Sequence, residues 1–163
     1  MPNMIVSTLC RLTGLERGRV DTWVSDGDLF FDMQVKNGQT RHLTKMDALR
    51  ILVFAEARAI GLSTSRARDA IHMLRGGFEG YGDLFVMLKV YSARYAGAGD
   101  FADIDPTGDA NSVAFTGSLK RAGELHEIAN DVRRPTTIVI ALAPHVAMVE
   151  ALWRAAGIDE AEG

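Results

Sequence analysis

Apolar residues in the first part of the chain recur at helical spacing in short, punctuated segments. Leu9, Cys10 and Leu12 predict a first helix, capped by Ser7 and running to about Thr13, with Gly14 as a tight turn after it. A second helix follows and stops at Gly27; Leu15, Val20, Trp23 and Val24 fall on one side of it, and Arg17, Gly18, Arg19 and Thr22 on the other. Residues 29–31 and 34–36 flank a short connection, and Asn37-Gly38 is a strong type I′ turn signal, so residues 29–43 predict a β-hairpin whose return arm is 39–43. Thr44 and Asp47 have capping-box spacing, with Asp replacing the usual Glu or Gln. The third helix they start runs to about Ile60 with Leu49, Leu52, Val53, Ala57 and Ile60 on one stripe, and Gly61 ends it. Ser63 then caps a fourth helix that buries Ala67, Ala70, Ile71 and Leu74.

The pattern changes after the glycines between positions 76 and 82. Residues 84–92 are apolar almost throughout, Lys89 excepted, which predicts a strand covered on both faces. Residues 93–110, rich in Gly, Ala and Asp, predict a long exposed loop. A second strand is expected over 112–116. Ser118 is then expected to cap a helix with Leu119, Ala122, Leu125, Ile128, Ala129 and Val132 inward. Residues 136–143 predict a third strand, and Pro144 opens a last helix carrying Val146, Met148, Val149, Leu152 and Trp153. This order predicts a right-handed β-α-β unit with parallel strands, completed to three strands by 84–92. The last helix is apolar on more than one side, and a second subunit is its expected cover. The expected fold class is α+β: an N-terminal winged helix-turn-helix over 1–75, a Gly-rich linker over 76–83, and a small C-terminal α/β dimerisation or effector domain with a three-stranded sheet over 84–163.

Charge sharpens the division. The net charge is −3, but residues 1–75 hold 11 basic and 8 acidic side chains, +3, whereas residues 76–163 hold 7 and 13, −6. A basic half beside an acidic half favours a nucleic-acid module joined to a differently employed partner. A short helix offering arginines and small polar groups, held by a glycine turn against a preceding helix, has the form that enters a DNA major groove.

In the order and spacing of these segments the first 75 residues resemble the winged helix-turn-helix of the MerR family of transcription regulators. The resemblance rests on Arg11-Leu12-Thr13-Gly14-Leu15, the helix exit from Trp23 to Leu29, the wing from Asn37 to Thr44, and Ala59-Ile60-Gly61-Leu62-Ser63. The family commonly has Arg where this chain has Asp21 and Tyr where it has Thr22. Its long dimerisation helix is replaced here by the glycine run. The resemblance implies promoter binding, with distortion of the DNA between half-sites. An acid at position 21 repels phosphate unless it is turned away or paired with a neighbouring arginine.

The DNA-contacting residues expected from this reading are Arg17, Gly18, Arg19 and Thr22 on the second helix and Lys36, Arg41 and His42 on the wing. Arg11 and Lys45 are weaker candidates for phosphate contact. His42, His72, His126 and His145 have no metal-ligand spacing, and Cys10 is the single cysteine, so neither a metal site nor an internal disulfide is expected. No nucleophile pairs with a base and no two carboxylates share a face, so catalysis and cofactors are not expected. The segment 116–121 has a strand-to-helix context for an anion, on a lone serine cap alone. Phe85, Tyr91, Phe115, Met148 and Trp153 read as core, leaving a small-molecule effector open without a residue that calls for it. No signal peptide or membrane-spanning run is visible, and the cytoplasm is the expected compartment.

The leading expectation is a sequence-specific transcription regulator that binds double-stranded DNA as a homodimer on an inverted repeat. Two alternatives stand beside it: the DNA-recognition subunit of a phage packaging or recombination complex, and a ligand-sensing domain whose DNA binding is weakened, as Asp21 suggests.

Overall fold

The computed structural model describes residues 4–31, 40–92, 113–125 and 136–158. Among the described residues, five helices and a three-stranded sheet make an α+β fold. The helices are α1 (Val6–Thr13), α2 (Arg17–Ser25), α3 (Lys45–Ala59), α4 (Thr64–His72) and α5 (Ala143–Ala155). The strands are β1 (Leu84–Ser92), β2 (Val113–Arg121) and β3 (Thr136–Ala141). No helix among the described residues is long and apolar enough to cross a membrane.

The helical part follows its local signals closely. Gly14 takes the left-handed conformation at φ 75° and returns its N–H to the Cys10 carbonyl, so α1 ends where the sequence carries its least hindered residue. Thr44 accepts a hydrogen bond from the Asp47 N–H while the Asp47 carboxylate accepts one from the Thr44 N–H, both at 3.0 Å, a complete capping box at the start of α3. Ser63 caps α4 through the Arg66 N–H. At the start of α1, however, Ser7 does not cap: the cap position is Ile5, with no side-chain bond. Ile5 is extended there because it bridges His42, and the Leu43 N–H donates to the Met4 carbonyl at 2.8 Å. The return arm of the expected hairpin therefore lies along the start of the chain. Residues 29–31 form no strand, and the turn at 37–38 lies outside the described residues, as do the expected loop over 93–110 and the inner positions 128, 129 and 132.

Leu9, Val20, Leu49, Val53, Phe54 and Ile71 are fully buried where these helices meet, and Trp23 meets Phe54 edge to face at 5.0 Å. Arg50, Asp47 and Asp28 are the charged residues buried in this interior among the described residues. Arg50 makes the most links. Only 1% exposed, it donates from Nε to the Leu74 carbonyl at 3.0 Å, contacts Asp47 at 3.3 Å and lies 4.5 Å above the Phe30 ring. One arginine thus joins α3, the end of α4 and the segment after α2. A second link across the same region is the ion pair of Arg68 with the nearly buried Asp28.

The sheet departs from expectation. Its order is β2-β1-β3, and β1 is antiparallel to both neighbours, Val86 pairing with Leu119 on one side and Ile140 on the other. β2 and β3 do run the same way, as a crossover between them demands. The strand at 84–92 lies between them, so no parallel pair forms. The expected helix beginning at Ser118 is also absent over residues 118–121, which are strand. All nine residues of β1 find partners in β2, from Leu84 opposite Arg121 to Ser92 opposite Val113, and this continuous ladder overrides the cap signal. Because 118–121 continue the strand and the Arg121 N–H donates to the Glu124 carboxylate at 2.7 Å, Ser118 neither caps a helix nor stands at the helix N-terminus on which the expected anion site rested.

Val86, Leu88, Ile140 and Leu142 bury beneath the helices, and the core runs without interruption into Val149, Leu152 and Trp153 of α5. α5 packs on α3, and α4 reaches β1 and β2. Within the stretch expected as a linker, Tyr81 is buried and donates its hydroxyl to the Arg75 carbonyl at 2.6 Å. Ile60 and Met148, expected on inner faces, are about half exposed.

Candidate nucleic-acid interface

Helical geometry places Val20, Trp23 and Val24 of α2 against the body and turns Gly18 and Thr22 outward, with Arg17 and Arg19 on opposite flanks. The structure exposes all four of the expected α2 residues. Thr22 donates its hydroxyl to the Gly18 carbonyl at 2.9 Å, leaving oxygen lone pairs and a smooth strip between the two arginines.

Each flank is a cleft. On one side Arg17 and Asp21 face Ser7 at the start of α1 and Thr40 and Arg41 of the return arm, around a space of about 500 Å³. Arg17 Nε lies 3.3 Å from Asp21 Oδ2, one turn along α2, which is the arginine partner that makes an acid on this face tolerable. The Arg41 guanidinium lies 4.2 Å above the Phe31 ring, which holds it beside the cleft. No side chain caps α1 at this point, so its first N–H groups lack an intrahelical acceptor where the two arginines converge. On the other side a cleft of about 390 Å³ is lined by Arg19 and Glu16 with Trp23 and Arg58 of α3. Arg19 lies 3.6 Å from Glu16. Each cleft contains two arginines and one carboxylate.

His42 is exposed and held by its bridge to Ile5. Lys36 lies outside the described residues. Arg58 is the member that sequence reading missed. It sits in the last turn of α3, where a basic residue reads as dipole compensation, it donates to the Leu62 carbonyl, and nothing in its local spacing says that it lines a cleft with Arg19 of α2. Cys10 is buried behind this face. Burial pushes its thiol pKa up, the Asp21 charge adds to the effect and the Arg17 charge opposes it. No cluster of metal-ligating side chains occurs among the described residues.

Models of known protein families give no match to this chain, and a comparison with curated proteins likewise finds none.

Proposed function

We propose that the chain is a sequence-specific DNA-binding protein, a transcription regulator acting as a homodimer on an inverted repeat. The observation that carries this reading is the convergence of Arg17 and Arg41, 24 positions apart in sequence, on one cleft at the open N-terminus of α1, with Arg19 and Arg58 matching them across α2. Anions are favoured at such a terminus because unpaired N–H groups and the helix dipole act together. A helix inserted into a major groove needs a phosphate-binding edge on either side and small groups at its tip, which is the pattern of arginine flanks around Gly18 and Thr22. Arg17 and Arg41 grip one phosphate strand, Arg19 and Arg58 the other, and the strip between them meets base edges. Two copies set their α2 helices about 34 Å apart, one turn of duplex.

Selection of bound duplexes from genomic fragments, followed by a salt titration of the recovered sequence, tests the proposal. A defined inverted repeat is expected, with binding weakened as salt rises and reduced by Arg17→Ala and by Arg41→Ala. No retained DNA at low salt, or wild-type affinity in both variants, refutes it.

A further inference from the structure

Helix α5 has two apolar sides. Val149, Leu152 and Trp153 join the core of the chain. Of the eight exposed positions on the other side, six are apolar: Ala143, Pro144, Ala147, Met148, Ala151 and Ala155. A surface helix ordinarily carries its charges on that side, and a helix that is apolar all round is one that something buries. Met148, 48% exposed, also lines a cleft with Ile60 and Val139, bordered by Thr13 and Leu15 of the α1–α2 turn and by Pro144 at the start of α5.

The two remaining exposed residues, Glu150 and Arg154, settle the kind of partner. Helical spacing puts Ala147, Ala151 and Ala155 in one row, with Met148 on one flank and both charges on the other. Glu150 and Arg154 lie one turn apart, and neither makes a side-chain hydrogen bond or ion pair among the described residues. One acid and one base on a single flank are their own complement. An antiparallel pair of α5 helices related by a two-fold axis sets charged flank against charged flank, so Glu150 meets Arg154 of the partner subunit twice. A parallel pair would instead set those charges against the Met148 flank. The alanine row lets the two backbones approach to about 8–10 Å.

We propose that α5 is the homodimer interface, packed antiparallel on α5 of a second copy with Ala151 near the two-fold axis. The inference deepens the homodimer of the proposed function. At about 1.5 Å per residue the two Pro144 ends then lie about 24 Å apart, pointing away from each other. Because the α1–α2 turn adjoins that end, the two α2 helices stand beyond it on opposite sides, compatible with a spacing of about 34 Å. Parallel packing would bring both turns together.

Light scattering and sedimentation of the full chain without DNA test the interface. The wild type is expected at twice the 17.7 kDa of one chain. Ala151→Glu, at an exposed position, is expected to give single chains with unchanged far-ultraviolet circular dichroism. Glu150→Arg and Arg154→Glu each set like charges together and are expected to weaken the dimer about tenfold or more, whereas an equimolar mixture of the two variants restores opposite charges at both contacts and wild-type association. The proposal is overturned if the wild type is a single chain at micromolar concentration, if Ala151→Glu keeps wild-type association, or if the mixture associates no better than either variant alone. A dimer that binds DNA but is insensitive to Ala151→Glu refutes this interface and leaves the proposed function standing. Loss of the dimer in Ala151→Glu of a protein without DNA affinity does the reverse.

Discussion

Arg17 and Asp21 form an ion pair one helical turn apart on the exposed flank of α2, Nε to Oδ2 3.3 Å, and both face the cleft that Arg41 enters from the opposite side. Such a surface pair contributes little to stability, so its main effect is on the potential that a phosphate meets. Asp21→Asn removes a repulsive charge and frees Arg17. DNA affinity is expected to rise several-fold at low salt, with a steeper slope of log K against log salt, by about one. Fluorescence anisotropy across a salt series reads both quantities. A lower affinity in the variant would mean that Asp21 orders Arg17 for contact.

Gly18 separates stability from recognition. A Cβ added there meets no atom within 4 Å, and its backbone is helical. Gly18→Ala is therefore expected to stabilise the fold by about 0.5–1 kcal/mol through helix propensity, measured by urea denaturation. The same methyl stands in the strip proposed to approach the bases, so DNA affinity is expected to fall. Gly14 behaves differently, because its left-handed φ of 75° makes Gly14→Ala cost about 1 kcal/mol although space is open around it.

Arg50 is a buried charge that ties the helical part together. Its guanidinium reaches the Leu74 carbonyl and Asp47 from a fully buried position. Arg50→Ala leaves the Asp47 carboxylate, 1% exposed, without this partner, and a loss of about 3–5 kcal/mol is expected in chemical denaturation. Arg50→Lys is expected to recover only part of this, because an ammonium does not reproduce the planar fork over Phe30. Removing the cap with Thr44→Ala should cost about 1 kcal/mol, which ranks the two contributions.

Cys10 is 5% exposed and its thiol pKa is raised by burial. The neutral thiol is thus the form the fold favours. Its contribution to stability is full below the pKa of a free thiol, about 8.5, and is lost as pH rises through the higher folded value. Reaction with a disulfide reagent at pH 8 is expected to be slow in the native protein and fast in urea. A rapid native reaction would show that α1 opens locally.

The cleft at Ile60, Val139 and Met148 belongs to neither half of the sequence. In a helical wheel Ile60 and Met148 look inward, because periodicity records only which side is apolar; it cannot record that the neighbouring element stops short and leaves a concavity. Arg58 is illegible in the sequence for the same reason, since the cleft it lines is shared with Arg19 of a different helix.

Local chemistry in the sequence determined the helical punctuation. Gly14, Thr44 with Asp47, and Ser63 each satisfy or release backbone groups within four residues, so neighbouring residues suffice to place the ends of α1, α3 and α4. It also determined that 84–92 is a strand and that Pro144 opens α5. Only the tertiary structure decided that β1 lies antiparallel between β2 and β3, that Ser118 extends a strand instead of capping a helix, and that Ile5 displaces Ser7 at the start of α1. In each of these cases the outcome depends on a partner far along the chain, His42 for Ile5 and all of β1 for β2, whose hydrogen bonds outweigh a local preference of about 1 kcal/mol.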